Sequence, residues 1–206
     1  MRPTTQPDPD RAGIFAGSDP IEIARRWLGE AWTSESGDAN AMQLATVDAD
    51  GMPDVRTVLL KEIGPDGFAF YTNYESAKAR QIDATGAAAF VLHWKSLSRQ
   101  VRARGRIARA DAARSDAYYL TRGVGSRIGA WASPQSRPIA DRAELERLAA
   151  QARARHGDDP PRPPHWGGFV IEPVQMELWA DGADRLHDRF RFERDGKEWR
   201  VQRLGP

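Results

Sequence analysis

No cysteine occurs among the 206 residues. That excludes a disulfide framework and every thiolate metal site, and it fits a reducing compartment. A charge excess of either sign is also missing: 30 Lys and Arg face 29 Asp and Glu, for a net +1. No global field therefore argues for nucleic acid or an anionic membrane as partner. No apolar run reaches the roughly 18 residues that span a bilayer, and the opening "MRPTTQPDPDRAGIFAGSDP" has no hydrophobic core of signal-peptide length. A cytoplasmic protein is the default expectation. Common catalytic signatures are absent too, with no Walker-type phosphate loop and no G-x-S-x-G elbow. "GVGSRIG" at 123–129 has one residue too many for the dinucleotide fingerprint and follows no strand. His93, His156, His165 and His187 lie far apart without metal-ligand spacing, so no metal is expected.

What is present reads as an ordinary globular chain, 40% hydrophobic and 29% charged, long enough for one sizeable core. Residues 1–18 mix Pro, Asp, Thr and Gly without periodicity and read as a flexible leader. The rest, 19–206, reads as a single domain. A first helix is predicted from "DPIE", with Asp19 as cap, Pro20 at the first helical position and Glu22 closing a capping box. Ala24, Trp27, Leu28 and Ala31 then follow helical spacing. From 42 to 110 the texture is strand and turn: "MQLATV", "VRTVLLKEI", "FAFYTN", a short helix over 76–85, "AAAFVLHW" and "SRQVRARGRIARA". In the last run Arg102, Arg104 and Arg106 share one face. Helices are predicted around 111–121 and 141–155, with an irregular stretch between them, and "FVIEPVQMELW", "RLHDRFRFER" and "KEWRVQRL" close the chain. About seven strands in hairpins with three or four helices predict an α+β fold, mainly antiparallel.

The chemistry suggested is distributed. "RTVLLK" sets Arg56 and Lys61 at two ends of an apolar strand, where five-residue spacing keeps them on opposite faces unless a bulge intervenes. "YTNYESAK" supplies Tyr71, Thr72, Ser76 and then Lys78 near a helix start, a natural anion site. Tyr118, Arg122 and Ser126 recur at i, i+4 and i+8, able to converge on a helix and its exit. "SPQS" adds Gln135 and Ser136. In "RLHDRF", read as extended, Arg185, His187 and Arg189 project together, a cationic row that needs something anionic opposite it. Taken singly, each feature also has an ordinary structural reading: a solvated strand-end charge, an exposed helix pair, a core Trp179, a surface salt-bridge ladder.

In order along the chain, "ATVDADGMPDVRTVLLKEIGPDGFAFYTNYESAKARQI", "SRQV", "IGAWASPQS", "WGGF" and "ELWADGADRLHDRF" with the terminal "RLGP" closely resemble the pyridoxine (pyridoxamine) 5′-phosphate oxidases. The resemblance runs from about residue 19 to the C-terminus. It implies an FMN-binding split β-barrel with peripheral helices, a homodimer with FMN in clefts at the subunit interface. The implied activity is oxidation of pyridoxine 5′-phosphate or pyridoxamine 5′-phosphate to pyridoxal 5′-phosphate. O2 would be the acceptor, giving hydrogen peroxide, and ammonia would leave from the amine. Carried over by position, FMN contacts fall to Arg56, Thr57, Val58, Leu59, Leu60, Lys61, Tyr71, Thr72, Lys78, Gln100, Gln135, Ser136, Trp179 and Arg189. The substrate phosphate falls to Lys61, Tyr118, Arg122 and Ser126, and Arg185 and His187 lie over the substrate ring as the catalytic pair.

Two departures stand out. Ala77 occupies a position where the family commonly has an arginine that helps bind the FMN phosphate, and the leader lacks an Arg-rich, Tyr-containing segment. Two rival readings remain: a flavoprotein oxidase of the phenazine-biosynthesis type, with an unphosphorylated substrate, and a non-catalytic flavin- or pyridoxal-phosphate-binding module. The arginine stripe at 102–106 is the best support for the second, but without interleaved aromatics it offers no base-stacking platform.

Overall fold

The computed structural model describes residues 13–206. Residues 1–12 of the expected leader lie outside the described residues. Within the rest of that segment Phe15 is buried against Trp27 and Phe190, and Trp27 Nε1 donates to the Ile14 carbonyl at 2.8 Å.

Helix α1 (Pro20–Ser34) starts as its sequence dictates. The Asp19 carboxylate accepts from Ile21 N at 2.9 Å and Pro20 takes the first turn. Glu22 does not close a capping box but pairs with Arg25. Ile21, Ala24, Trp27 and Ala31 form the buried stripe.

Nine strands then build one antiparallel sheet: β1 (Ala41–Val47), β2 (Pro53–Leu59), β3 (Glu62–Gly64), β4 (Gly67–Asn73), β5 (Ala87–Trp94), β6 (Arg99–Arg109), β7 (Trp166–Ala180), β8 (Asp188–Asp195) and β9 (Glu198–Leu204). The order is β2-β1-β5-β6-β7-β4-β3, and β8 pairs with both β7 and β9. The branch follows from the length of β7. Its 15 residues extend about 50 Å at the strand rise. The first part, 166–171, pairs with β4 and the last part, 175–180, with β8. The sheet therefore splits around one long strand. At Arg104/Gly105 the β6–β7 register slips from Gln175 to Pro173. Only glycine suits position 105, because a Cβ would stand 1.9 Å from the Glu172 carbonyl oxygen.

Phe68, Phe70, Phe90, Leu92, Phe169, Ile171, Met176, Phe190 and Phe192 fill the main core under α1. The opposite face of β6 carries Arg102, Arg104 and Arg106, all exposed, while Val101, Ala103 and Ile107 point inward. Helices α2 (Ala77–Thr85), α3 (Ala112–Leu120), α4 (Val124–Ala132) and α5 (Arg142–His156) are peripheral. A second, smaller cluster joins Tyr119, Ala130 and Trp166.

The mainly antiparallel α+β architecture agrees with the expectation, and three local readings need correction. The "VRTVLLKEI" run is two strands, since the chain leaves β2 at Leu59 and Leu60 N turns to the Asn40 carbonyl. The stretch at 122–138 is not irregular throughout: α4 runs through it, its apolar Ile128, Ala130 and Ala132 buried despite three glycines nearby. "RLHDRF" is not extended from its start. Ala183–Arg185 form a 3-10 turn, with Asp184 and Arg185 both in the left-handed region and Leu186 N bonded to Ala183 O. The turn folds tightly over Gly182, where a Cβ would meet the Leu186 carbonyl oxygen at 2.0 Å. Strand pairing begins only at Asp188.

Candidate active site

The largest concentration of expected side chains lines a cleft of about 500 Å³ between the β2 and β4 ends, α2, and the α3–α4 junction. Arg56, Thr57, Val58, Leu59, Lys61, Tyr71, Thr72, Lys78, Tyr118, Arg122, Ser126 and Gln135 all face it, with Trp166 beside them. Its size falls in the range of small-molecule sites. Arg56 and Lys61 share it. The opposite-face argument fails because the strand ends between them at Leu59.

Each cation is held differently. Arg56 is pinned by Asp54 at 2.6 Å, by Thr46 and by Gln81. Lys78 rises from the first turn of α2, whose cap Ser76 is fully buried, and reaches Gln135 at 3.2 Å and Thr72 at 3.4 Å. Burial, followed by the neighbouring Arg56 charge, lowers the Lys78 pKa. Tyr118 sits near the end of α3 and Ser126 in the first turn of α4. A helix–turn–helix, not a single helix, brings them together with Arg122. The Arg122 guanidinium lies 4.5 Å over the Trp166 ring, its Nη1 is buried without a hydrogen-bond partner, and burial lowers its pKa.

Tyr71 stacks on Tyr118 at 3.9 Å between centroids and donates its hydroxyl to Glu62 at 2.7 Å. Arg114 holds the other Glu62 oxygen and also Asp66. Burial and then the Glu62 hydrogen bond push the Tyr71 pKa up, so the phenol stays neutral. The sequence reading missed Glu62, Arg114 and Trp166, since nothing local distinguishes them from surface charges or a strand-end aromatic.

A second cleft of about 280 Å³ gathers Gln100, Trp179, His187 and Arg189 with Arg102, Glu177 and Pro206. It shares no lining residue with the first. Glu177 is buried and binds Arg189 at 2.9 Å and Arg102 at 2.5 Å. Its carboxyl is pushed up by burial, but hydrogen bonds from Arg189 and then Arg102 outweigh this and leave its pKa lowered. His187 Nδ1 stands 3.0 Å from Asp181 Oδ1 and 3.2 Å from Gly182 N, with its ring against Trp179.

Three expected residues line neither cleft. Leu60 is buried in the core, Ser136 is exposed with a left-handed backbone, and Arg185 is exposed on the 3-10 turn. The anticipated single-face row of Arg185, His187 and Arg189 is therefore absent, because the turn rotates Arg185 out of strand parity. Asp188, on the other face, is buried and pairs with Arg203. Adjoining the second cleft, the outer sheet face offers another hollow lined by Ala45, Val55, Ala89, Val91, Arg104 and Gln175.

The donor set asks for an acceptor-rich ligand. Four cations converge on the first cleft, one with a buried, unpaired N–H, and a phosphate ester supplies the oxygens that such groups need. FMN and a phosphorylated substrate both fit that chemistry.

Comparison with known proteins follows the same line. Residues 28–156 match the family described as pyridoxamine 5′-phosphate oxidase, and residues 166–206 match the pyridoxine 5′-phosphate oxidase C-terminal dimerisation region. The pyridoxine/pyridoxamine 5′-phosphate oxidase of Roseobacter denitrificans is 57% identical over 199 residues, covering 96% of this chain and 99% of that protein. The one from Paracoccus denitrificans is 56% identical with the same coverage of each. Among solved structures, PhzG from Burkholderia lata, in complex with tetrahydrophenazine-1-carboxylic acid, superposes with a TM-score of 0.87 at 34% identity, covering 93% of this chain and 94% of its own. A pyridoxamine 5′-phosphate oxidase-related, FMN-binding protein from Nostoc punctiforme shares the fold, with a TM-score of 0.73 at 23% identity over 91% of this chain and 98% of its own.

Proposed function

The chain belongs to the pyridoxine/pyridoxamine 5′-phosphate oxidase family, and from that premise we propose how its two clefts divide the work. The protein is an FMN-dependent oxidoreductase that converts pyridoxine 5′-phosphate and pyridoxamine 5′-phosphate to pyridoxal 5′-phosphate. When bound, FMN supplies the two-electron oxidation and passes the electrons to O2, giving hydrogen peroxide.

In the first cleft, Arg56, Lys78, Thr72 and Gln135 hold the FMN phosphate, with Ala77 contributing no charge. Lys61, Tyr118, Arg122 and Ser126 hold the substrate phosphate. The observation that carries this reading is the buried, unpartnered Arg122 Nη1 inside a cationic cleft. Leaving such a donor unpaired is costly, and a phosphate oxygen relieves it. In the second cleft Glu177 orients Arg189, and Gln100, Trp179 and Arg189 complete the FMN contacts. His187 positions the substituent at the reacting carbon, with Asp181 fixing its ring. Arg185, exposed on its turn, is free to reach a substrate ring held across the dimer.

The two clefts act together across a homodimer. The match to a dimerisation region supports pairing of two copies. The outer sheet face, with Val47, Met52, Val55 and Val174 exposed, supplies an apolar surface for it. One protomer's first cleft then closes against its partner's second cleft, with FMN at the interface. A cytoplasmic enzyme fits this chemistry, and no helix among the described residues is long and apolar enough to cross a membrane.

Mixed dimers test the composite site. Lys78→Ala and Arg189→Leu chains, each inactive alone, are refolded together and assayed for O2 consumption with pyridoxine 5′-phosphate. Half the dimers are mixed and each keeps one intact site, so about a quarter of wild-type activity returns. No recovery overturns the interface reading. The phenazine-type alternative, to which the PhzG superposition at 34% identity points, predicts no advantage of the phosphorylated over the unphosphorylated vitamer. The phosphate pocket predicts that the unphosphorylated compound is a poor substrate.

A further inference from the structure

Trp166 lies outside every set of residues expected to touch FMN or substrate, yet it forms the wall on which the phosphate pocket is built. It opens β7 opposite Asn73 of β4, and its ring is buried. Three aromatic planes run nearly parallel there: Tyr71 against Tyr118 at 17°, Tyr71 against Trp166 at 14°, and Tyr118 against Trp166 at 9°. Tyr119 meets Trp166 edge-on at 5.2 Å. The Arg122 guanidinium lies over the Trp166 face at 4.5 Å and also within 5.9 Å of the Tyr119 ring.

The neighbouring glycine makes the stack possible. Tyr71 and Gly168 are cross-strand partners, and a Cβ on Gly168 would stand 2.8 Å from Tyr71 Cε1 and 3.0 Å from Ala110 Cβ. Glu62 fixes the Tyr71 hydroxyl, and Arg114 fixes Glu62. Among the described residues, Arg122 has no ion-pair partner, and its Nη1 is buried without a hydrogen bond. What lies beneath this half-buried guanidinium is an aromatic face. An arginine stacked on an indole keeps its in-plane N–H groups free for an anion.

We propose that Trp166 is a positioning residue of the substrate-phosphate pocket, acting through Arg122, and that it sets the preference for phosphorylated over unphosphorylated substrate. The proposal rests on the phosphate-site reading above. Trp166 lies against the face of the guanidinium. It presents the Arg122 fork edge-on, alongside Tyr118, whose ring belongs to the same stack.

The test measures three quantities in the FMN-loaded enzyme: equilibrium binding of pyridoxal 5′-phosphate, the KM and kcat for pyridoxine 5′-phosphate, and FMN affinity from flavin fluorescence. Trp166→Leu is expected to weaken pyridoxal 5′-phosphate binding and raise KM by roughly 5- to 30-fold, the range that a desolvated cation–π contact supports. The kcat and FMN affinity should stay within about twofold, and Trp166→Phe should restore part of the loss, since phenylalanine is the weaker π face. In an Arg122→Leu background, Trp166→Leu should add nothing further, because its effect passes through the arginine. Three results overturn the inference: Trp166→Leu binding like wild type, Trp166→Leu losing FMN affinity and kcat in parallel with substrate binding, or additive losses in the double variant. Should Trp166→Leu not fold, Trp166→Phe alone decides, and wild-type binding and KM in that variant overturn the inference. If Arg122→Leu itself leaves pyridoxal 5′-phosphate binding unchanged, the phosphate-site reading fails, and the inference falls with it.

Discussion

Glu177→Gln is the substitution whose cost the structure sets most directly. Glu177 sits on β7 between Arg102 on β6 and the β8 arginines, and its side chain is 6% exposed. Oε1 accepts from Arg189 Nε at 2.9 Å and Oε2 from Arg102 Nη2 at 2.5 Å. Glutamine keeps one acceptor and turns an NH2 toward the other guanidinium, so one charge-assisted bond is lost and a donor faces a donor. The half-buried Arg189 arm is worth about 1.5–3 kcal/mol. The Arg102 arm contributes only about 0.2–1 kcal/mol, because Arg102 is 60% exposed. At about 2–4 °C per kcal/mol for a chain of this length, loss of the Arg189 arm should lower the melting temperature by roughly 3–12 °C. The effect depends on pH in a definite direction. The Glu177 pKa is lowered in the folded protein, so its contribution is complete above the unfolded-chain value near about 4.3. It is lost as the pH falls through the folded value. Thermal unfolding with saturating FMN at fixed protein concentration, followed by circular dichroism, should show the full gap between wild type and variant at neutral pH. The gap should narrow below about pH 4. A gap that is absent at neutral pH, or unchanged on acidification, refutes the reasoning. Because Glu177 also aims Arg189 into the second cleft, the variant should bind FMN more weakly.

Ala77→Arg, at the first position of α2 beside Lys78, should tighten FMN binding by about tenfold or more, the equivalent of one added charge-assisted contact. Equal fluorescence-titration affinities would show that other groups already satisfy the phosphate. Gly105→Ala should destabilise the fold by about 1–3 kcal/mol or more, since its Cβ meets backbone that cannot move. Gly86→Ala, at φ +62° with open space around it, should cost only about 1 kcal/mol. Denaturant midpoints in the reverse order would contradict the bulge packing.

Local chemistry is legible in the sequence. The Asp19–Pro20 start of α1, the short helix ending at Thr85, the alternation of β1 and β6 and the two-faced arginine stripe all follow from rules that act over a few residues, and each appears as expected. The failures share a cause. Whether "VRTVLLKEI" runs on or breaks is decided by Leu60 finding a place in the core and its N–H finding Asn40. Whether "RLHDRF" begins as a strand is decided by the turn over Gly182. Neither contest is visible in a local pattern.

The sequence alone therefore determined the antiparallel α+β architecture, the absence of thiol chemistry and the family with its cofactor and reaction, because these rest on composition, short-range propensity and motif order. Only the tertiary structure decided which cations meet. Arg56 and Lys61, Lys78, and Arg122 come from three separate stretches and converge because β2, α2 and the α3–α4 junction pack at one end of the sheet. Trp166 and Glu62 became visible only there, since a residue's role in a cleft depends on neighbours that the chain brings near by folding rather than by succession.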